Sequence, residues 1–112
     1  GMPSSEVALH VYNQVIKHNE ELCQIGDKSN GKRLELYKVV APNYQPVQHE
    51  SWSSFEWYAR ENGFFVNPRD CWHMIRISIH GTIEFRNFGA TDSVDEIVDW
   101  SEYCRDLCLR YA

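Results

Sequence analysis

The sequence predicts an α+β domain in which helices pack on one face of a small antiparallel sheet. Three observations carry this. The opening and closing segments repeat apolar residues at helical spacing. Residues 74–87 alternate apolar and polar side chains with period two around Gly81. No apolar run approaches the ~20 residues of a membrane span.

Ser4 or Ser5 caps a first helix running to about Cys23. Val7, Val11, Tyr12, Val15, Ile16 and Leu22 make its apolar face, and His10 falls on its polar side. Residues 26–32 carry turn chemistry, with Gly26, Asn30 and Gly31 as breakers. Residues 34–40 read as a strand with imperfect alternation, Leu34 and Leu36 on one side, Tyr37 and Val39 off pattern. Residues 41–50, with Pro42, Asn43 and Pro46, read as a surface connection or a lid. Ser53 and Glu56 form a capping box for a short helix ending near Asn62, with Gly63 at C′. Phe64, Phe65 and Val66 continue as an extended piece stopped by Pro68.

The last helix opens on a second capping box, Ser93 with Glu96. Val94, Ile97, Val98, Trp100, Cys104, Leu107, Cys108 and Tyr111 share one broad face. No repeat or linker divides the chain, so residues 2–112 read as one domain. Gly1 ahead of Met2 reads as a remnant of tag removal.

Composition narrows the function classes. A 43% hydrophobic and 13% aromatic content suits a packed core rather than disorder. A net charge of −5 with no basic stripe argues against DNA or RNA as a partner. The expectation is no membrane and no nucleic acid. Cys23, Cys71, Cys104 and Cys108 show no CxxC spacing and read as buried, reduced thiols of a cytoplasmic protein. A zinc site needs several His or Cys ligands, and Cys71 with His73 is a weak candidate alone.

Within 74–87, His73, Ile75, Ile77 and Ile79 alternate with Met74, Arg76, Ser78 and His80, and Ile83 and Phe85 with Thr82, Glu84 and Arg86. The isoleucines and Phe85 should face the helices, with Arg76, Ser78, Glu84 and Arg86 opposite. A two-residue turn at His80 and Gly81 would mix the faces. A three-residue loop at 80–82 keeps them apart. That register sets Glu84 across from Ser78 and Arg76 across from Arg86, a repulsion that Glu84 or an external anion such as phosphate would relieve. By pattern alone this is a solvated sheet surface with an Arg–Glu pair contributing about 0–1 kcal/mol.

The run His80-Gly81-Thr82-Ile83-Glu84-Phe85-Arg86, followed by Thr91-Asp92 and a capped helix with Ile97 and Trp100, resembles the C-terminal signature of the amidoligase family. These are ATP-dependent carboxylate–amine ligases related to glutamine synthetase and glutamate–cysteine ligase. The resemblance covers about residues 74–103. It implies part of a glutamine synthetase-like catalytic domain, with ATP and Mg²⁺ as cofactors. It assigns Glu84 as a metal ligand and Arg86 as the contact to phosphate or an acyl-phosphate intermediate. Arg76 matches an arginine of the family's preceding strand, which makes Arg76 and Arg86 the implied catalytic pair. The chemistry suits the spacing: residues i and i+2 of a strand share a face, Mg²⁺ takes carboxylate oxygen, and Arg offers a fork to phosphate.

The chain also departs from the family. Family members are longer, and their N-terminal half supplies further ligands through a His-x-His strand. Here Leu9-His10-Val11 holds one histidine, and Asn87-Phe88-Gly89-Ala90-Thr91 replaces a run that carries another carboxylate. The expectation is therefore a partial ligase-like unit, incomplete alone and finished by a partner chain or a second copy. The alternatives are a non-catalytic binding or interaction module that keeps the fold, and an unrelated α+β protein. Any of His10, His18, His49, His73 and His80 close to Glu84 favours the first. Trp52, Phe55, Trp57 and Tyr58 could line a pocket beside the polar face, with Phe55, Tyr58 and Ala59 as the core-facing set. Tyr103 and His80 read as surface and turn residues.

Overall fold

The computed structural model describes residues 5–27, 31–40, 44–64, 71, 73–89 and 91–112. In 32–40 the described side chains are those of Lys32, Glu35, Leu36, Lys38 and Val39. The fold is α+β. Helices α1 (Ser5–Val15), α2 (Asn19–Ile25), α3 (Lys32–Val40) and α4 (Trp52–Glu61) precede strands β1 (Ile75–Ile77) and β2 (Ile83–Phe85), and α5 (Val94–Tyr111) closes the chain. Among the described residues no helix is long and apolar enough to cross a membrane.

The centre of the core is α1. Ala8, Leu9, Val11, Tyr12 and Val15 are buried there, and Leu22 joins them from α2. Against this face pack Ile75 and Ile77 of β1, Phe55 and Ala59 of α4, and Cys104 and Leu107 of α5. The first helix is not continuous to Cys23 as its periodicity suggests: a 3₁₀ turn at Ile16–His18 separates α1 from α2. Two tertiary anchors hold that break. His18 Nε2 bonds the Tyr111 hydroxyl at 2.9 Å, and Asn87 Nδ2 donates to Asn19 Oδ1 at 2.8 Å.

The strand expected at 34–40 is helix α3. Gly31, at φ +85°, receives Asp27 Oδ2 on its N–H at 2.6 Å, and its carbonyl accepts from Glu35 N–H. That turn starts a helix in a run of straight-chain residues that favour one, Lys-Arg-Leu-Glu-Leu. The apparent alternation of Leu34 and Leu36 was the misleading feature, since Leu36 and Val39 are exposed.

Helix α4 is capped by Ser51, not by Ser53. The Ser51 hydroxyl accepts from Ser54 N–H, and Glu6 of α1 accepts from Trp52 N–H, so a tertiary bond fixes the start two residues earlier. Its end follows expectation. Gly63 takes φ +77°, its N–H bonds the Arg60 carbonyl, and Phe64 N–H bonds the Ala59 carbonyl, a Schellman pair. Phe64 is a buried turn residue, and Phe65 and Val66 lie outside the described residues. At the start of α5, Ser93 accepts from Glu96 N–H as its motif predicts. The broad apolar face expected there is buried only from the middle of the helix onward, because Val94, Ile97 and Val98 are exposed.

The hairpin pairs Ile75 with Phe85, Arg76 with Glu84 and Ile77 with Ile83. Its loop has three residues, but they are 79–81 rather than 80–82. Gly81 N–H bonds the Ser78 carbonyl at 3.0 Å and Gly81 sits at φ +78°, a turn closed by a left-handed residue. Parity is preserved, so the faces stay separate. The partners change: Arg76 lies across from Glu84, not Arg86. Ser78 determines this shift, because its side-chain oxygen accepts from both His80 N–H and Thr82 N–H and so locks the turn one residue earlier.

Candidate functional site

The three residues singled out by the sequence come together on the polar face of the hairpin. Arg76 donates from Nε to Glu84 Oε2 at 2.9 Å, and its Nη2 lies 2.8 Å from the same oxygen. The third nitrogen, Arg76 Nη1, donates to the Cys71 carbonyl at 3.2 Å, and Arg86 Nη1 donates to that carbonyl at 3.0 Å. Two guanidinium groups therefore converge on one oxygen. The direct opposition of Arg76 and Arg86 expected from the sequence is not found: the register makes them diagonal neighbours and sets Arg76 across from Glu84. The internal anion beside Arg76 is Glu84. Its side chain is half exposed, and among the described residues only Oε2 is engaged in hydrogen bonds.

The backbone fixes these positions. Arg76 and Glu84 are an adjacent pair of the ladder, and Arg86 extends it through its N–H to the Met74 carbonyl at 2.7 Å. Cys71, from the segment before β1, supplies the shared carbonyl.

Behind this face lies a cavity of about 40 Å³ lined by His49, His73, Tyr12, Tyr58 and Phe55, with Arg76 and Glu84 on its wall. His49 and His73 are buried at 7% and 2% exposure. The Tyr58 hydroxyl lies 3.3 Å from His73 Nε2, and the His49 ring sits 4.9 Å from that of Tyr58. Asn13 clamps the His49 backbone by two bonds, at 2.7 and 3.1 Å. Burial, reinforced by His73, pulls the His49 imidazole below its ordinary value, so it is neutral at pH 7. Burial pushes the Tyr58 and Tyr12 phenols and the Cys71 thiol up, which makes Cys71 a poor nucleophile. A space of that size holds water, not a nucleotide.

Of the five histidines, His49 and His73 share a cavity with Glu84. His18 sits with Glu21 and Tyr111, and His10 and His80 are exposed. The alternation places His73 in the inward-facing set of the hairpin, and it is one of the histidines whose closeness to Glu84 the sequence left open. His49 carries no motif, and the Asn13 clamp on its backbone, 36 residues away in sequence, is not legible from pattern. Phe55 and Tyr58 line the cavity as suggested, whereas Trp57 is exposed and Trp52 packs on Phe55. Tyr103, expected at the surface, is partly buried against the core and donates its hydroxyl to Glu21.

A roomier cavity, about 320 Å³, opens at the other end of the hairpin among Asn19, Asp27, Tyr44, Met74 and Asn87. It contains neither Arg76 nor Glu84. Asn87 Nδ2 donates to Asn19 Oδ1 and meets Cys23 Sγ at 3.1 Å, while its buried Oδ1 has no partner among the described residues.

No family model, no curated protein and no solved structure matches this chain.

The donor set can be tested against the metal that the resemblance implies. Mg²⁺ prefers six oxygen ligands in octahedral array. Among the described residues no group of three or more His, Cys, Asp or Glu side chains is arranged to hold a metal ion. Glu84 offers a single carboxylate, and Arg76 competes for it. The set fits one ligand of a shared ion, not a complete site. The two guanidinium groups, by contrast, have the planar donor geometry that phosphate oxygens accept.

Proposed function

We propose that this chain is a partial amidoligase-like domain. In this reading its hairpin face contributes phosphate and metal contacts to an ATP-dependent carboxylate–amine ligase site that another chain, or a second copy, completes. It would work in the cytoplasm, where four thiols stay reduced. One observation carries the reading: Arg76 and Arg86 converge within hydrogen-bond reach of the Cys71 carbonyl, beside a half-exposed Glu84.

In that role Arg86 and Arg76 orient the terminal phosphate of ATP and stabilise charge as the phosphoryl group moves to the carboxylate. A divalent ion, when bound, would withdraw further charge from the phosphate oxygens. Glu84 would hold one of its coordination positions through Oε1. Arg76 must exchange Glu84 for phosphate. The pair it leaves is partly exposed and worth about 0–1 kcal/mol, whereas a charge-assisted bond to phosphate is worth about 1.5–3 kcal/mol. The exchange favours the ligand.

The test is calorimetric titration of ATP, with and without Mg²⁺, into wild type, Arg86→Ala and Glu84→Ala. Wild type should bind, and Arg86→Ala should weaken binding by about 10- to 100-fold. Glu84→Ala should retain ATP binding but lose its dependence on Mg²⁺. Absence of heat from wild type in both conditions sinks the proposal for this chain.

A further inference from the structure

The cavity of about 320 Å³ at the far end of the hairpin has the size of a small-molecule site, and none of Arg76, Glu84 and Arg86 lines it. Hydrogen bonds hold its walls together. Asn87 Nδ2 ties the end of the hairpin to α2 through Asn19 Oδ1 at 2.8 Å. Gly31 N–H donates to Asp27 Oδ2 at 2.6 Å, which closes the turn between α2 and α3. Met74 N–H donates to the Tyr44 carbonyl at 2.8 Å, so Tyr44 is held against the residue that leads into β1.

Asn87 is the residue that calls for a ligand. It lines the cavity at 1% exposure, and its Oδ1 has no hydrogen-bond partner among the described residues. The amide cannot simply be turned over. Its Nδ2 faces both Asn19 Oδ1 at 2.8 Å and the Asn19 carbonyl at 3.4 Å, and lies 3.1 Å from Cys23 Sγ. Reversal would set oxygen against two oxygens. The unused end is therefore an acceptor, and a buried acceptor without a donor is costly. One water could serve that oxygen, but the cavity has room for far more than one.

The other lining residues narrow the chemistry. Glu20 and Asp27 bring two carboxylates, and Lys38 is the one cation among the described lining residues. Phosphates and carboxylates carry acceptors and negative charge, so they match neither Asn87 Oδ1 nor this balance. A protonated amine carries N–H donors and positive charge, and matches both. Met74 and Tyr44 add apolar surface for a hydrocarbon body. We infer that this cavity binds a small organic amine, with the ammonium donating to Asn87 Oδ1 and the hydrocarbon part beside Met74 and Tyr44. The site is separate from the phosphate face, so either can fail without the other.

The probe is benzylamine, titrated into the ¹⁵N-labelled full chain. The readout is the side-chain amide of Asn87 together with the backbone amides of Cys23 and Met74. All three should shift with one saturation curve. Benzyltrimethylammonium keeps the charge but has no N–H donor, and benzoate reverses the charge. Both should bind at least about tenfold more weakly. Glu20→Gln, an exposed change that leaves the core intact, should weaken benzylamine binding by about two- to fivefold and flatten its salt dependence. Non-saturating shifts, or none at Asn87, overturn the inference and leave a water-filled cavity. Equal binding of benzyltrimethylammonium overturns it too, since charge alone would then suffice. So does benzoate binding as tightly as benzylamine, or an unchanged affinity in Glu20→Gln.

Discussion

The two strands of the hairpin have nearly the same sequence pattern, Ile-Arg-Ile in β1 and Ile-Glu-Phe in β2, yet only one is buried. Ile75 and Ile77 are buried against α1, whereas Ile83 and Phe85 are only partly covered and Phe85 borders an open groove. Period-two alternation sets which way a side chain points, not whether a third element lies in that direction. On the β1 side α1 and α4 close over a small cavity with His49 and His73. On the β2 side the first turns of α5 stand away, and an apolar surface remains. The closed side buries the His49 and His73 rings, and the open side leaves Phe85 at the border of an exposed apolar groove.

Substitutions can break this contrast. Ile75→Ala removes a fully buried side chain and should cost about 2–5 kcal/mol in urea unfolding with unchanged m-value. Phe85→Ala on the partly covered strand should cost distinctly less. Equal losses would mean that the two strands are equally packed. Gly26→Ala tests the joint between the two sides. An added Cβ would lie 2.5 Å from Phe88 Cδ1 and 2.6 Å from the Asn87 carbonyl oxygen, and the overpacking should cost about 1–3 kcal/mol. It should also disturb the groove, read as a change in Trp100 fluorescence in a variant retaining that tryptophan alone.

The Arg76–Glu84 pair should contribute least to stability. With side chains 18% and 50% exposed, a double-mutant cycle of Arg76→Met and Glu84→Gln should give a coupling of about 0–1 kcal/mol, reduced by salt. A larger value would argue for a structural rather than a ligand-receiving role.

The buried side should also show in the pH dependence. The His49 imidazole is held below its ordinary value by burial and by His73, so it resists protonation when folded. Its contribution is fully present above the unfolded histidine value, about 6.5, and is lost as pH falls from there through the lower folded value. His49→Gln should flatten that limb of the stability profile. An unchanged profile would mean that the ring is not the titrating group.

Much of this was legible in the sequence where local chemistry decides the outcome. The Ser93 cap, the Gly63 terminus and the separation of the hairpin faces all follow from motifs that need no tertiary partner. Two of the misses depend on partners distant in sequence. Ser51 rather than Ser53 caps α4 because Glu6, 46 residues away, bonds Trp52 N–H. The break at Ile16–His18 depends on Tyr111 and Asn87. The hairpin register turned on the Ser78 side chain, which alternation ignores. Residues 34–40 misled because two leucines two apart suit either period over so short a run. For the site, the sequence named Arg76, Glu84 and Arg86 but not the Cys71 carbonyl on which the arginines meet, nor the buried histidine pair behind them.

The central claim is that Arg76 and Arg86 together receive phosphate. The most direct measurement is ¹⁵N NMR of the arginine Nε–H groups, assigned through Arg76→Lys and Arg86→Lys, during titration with ATP. The account predicts that both signals shift together, with Glu84→Gln leaving the response in place. Shifts confined to residues around Asn87 and Tyr44, with both guanidinium signals unmoved, would contradict it.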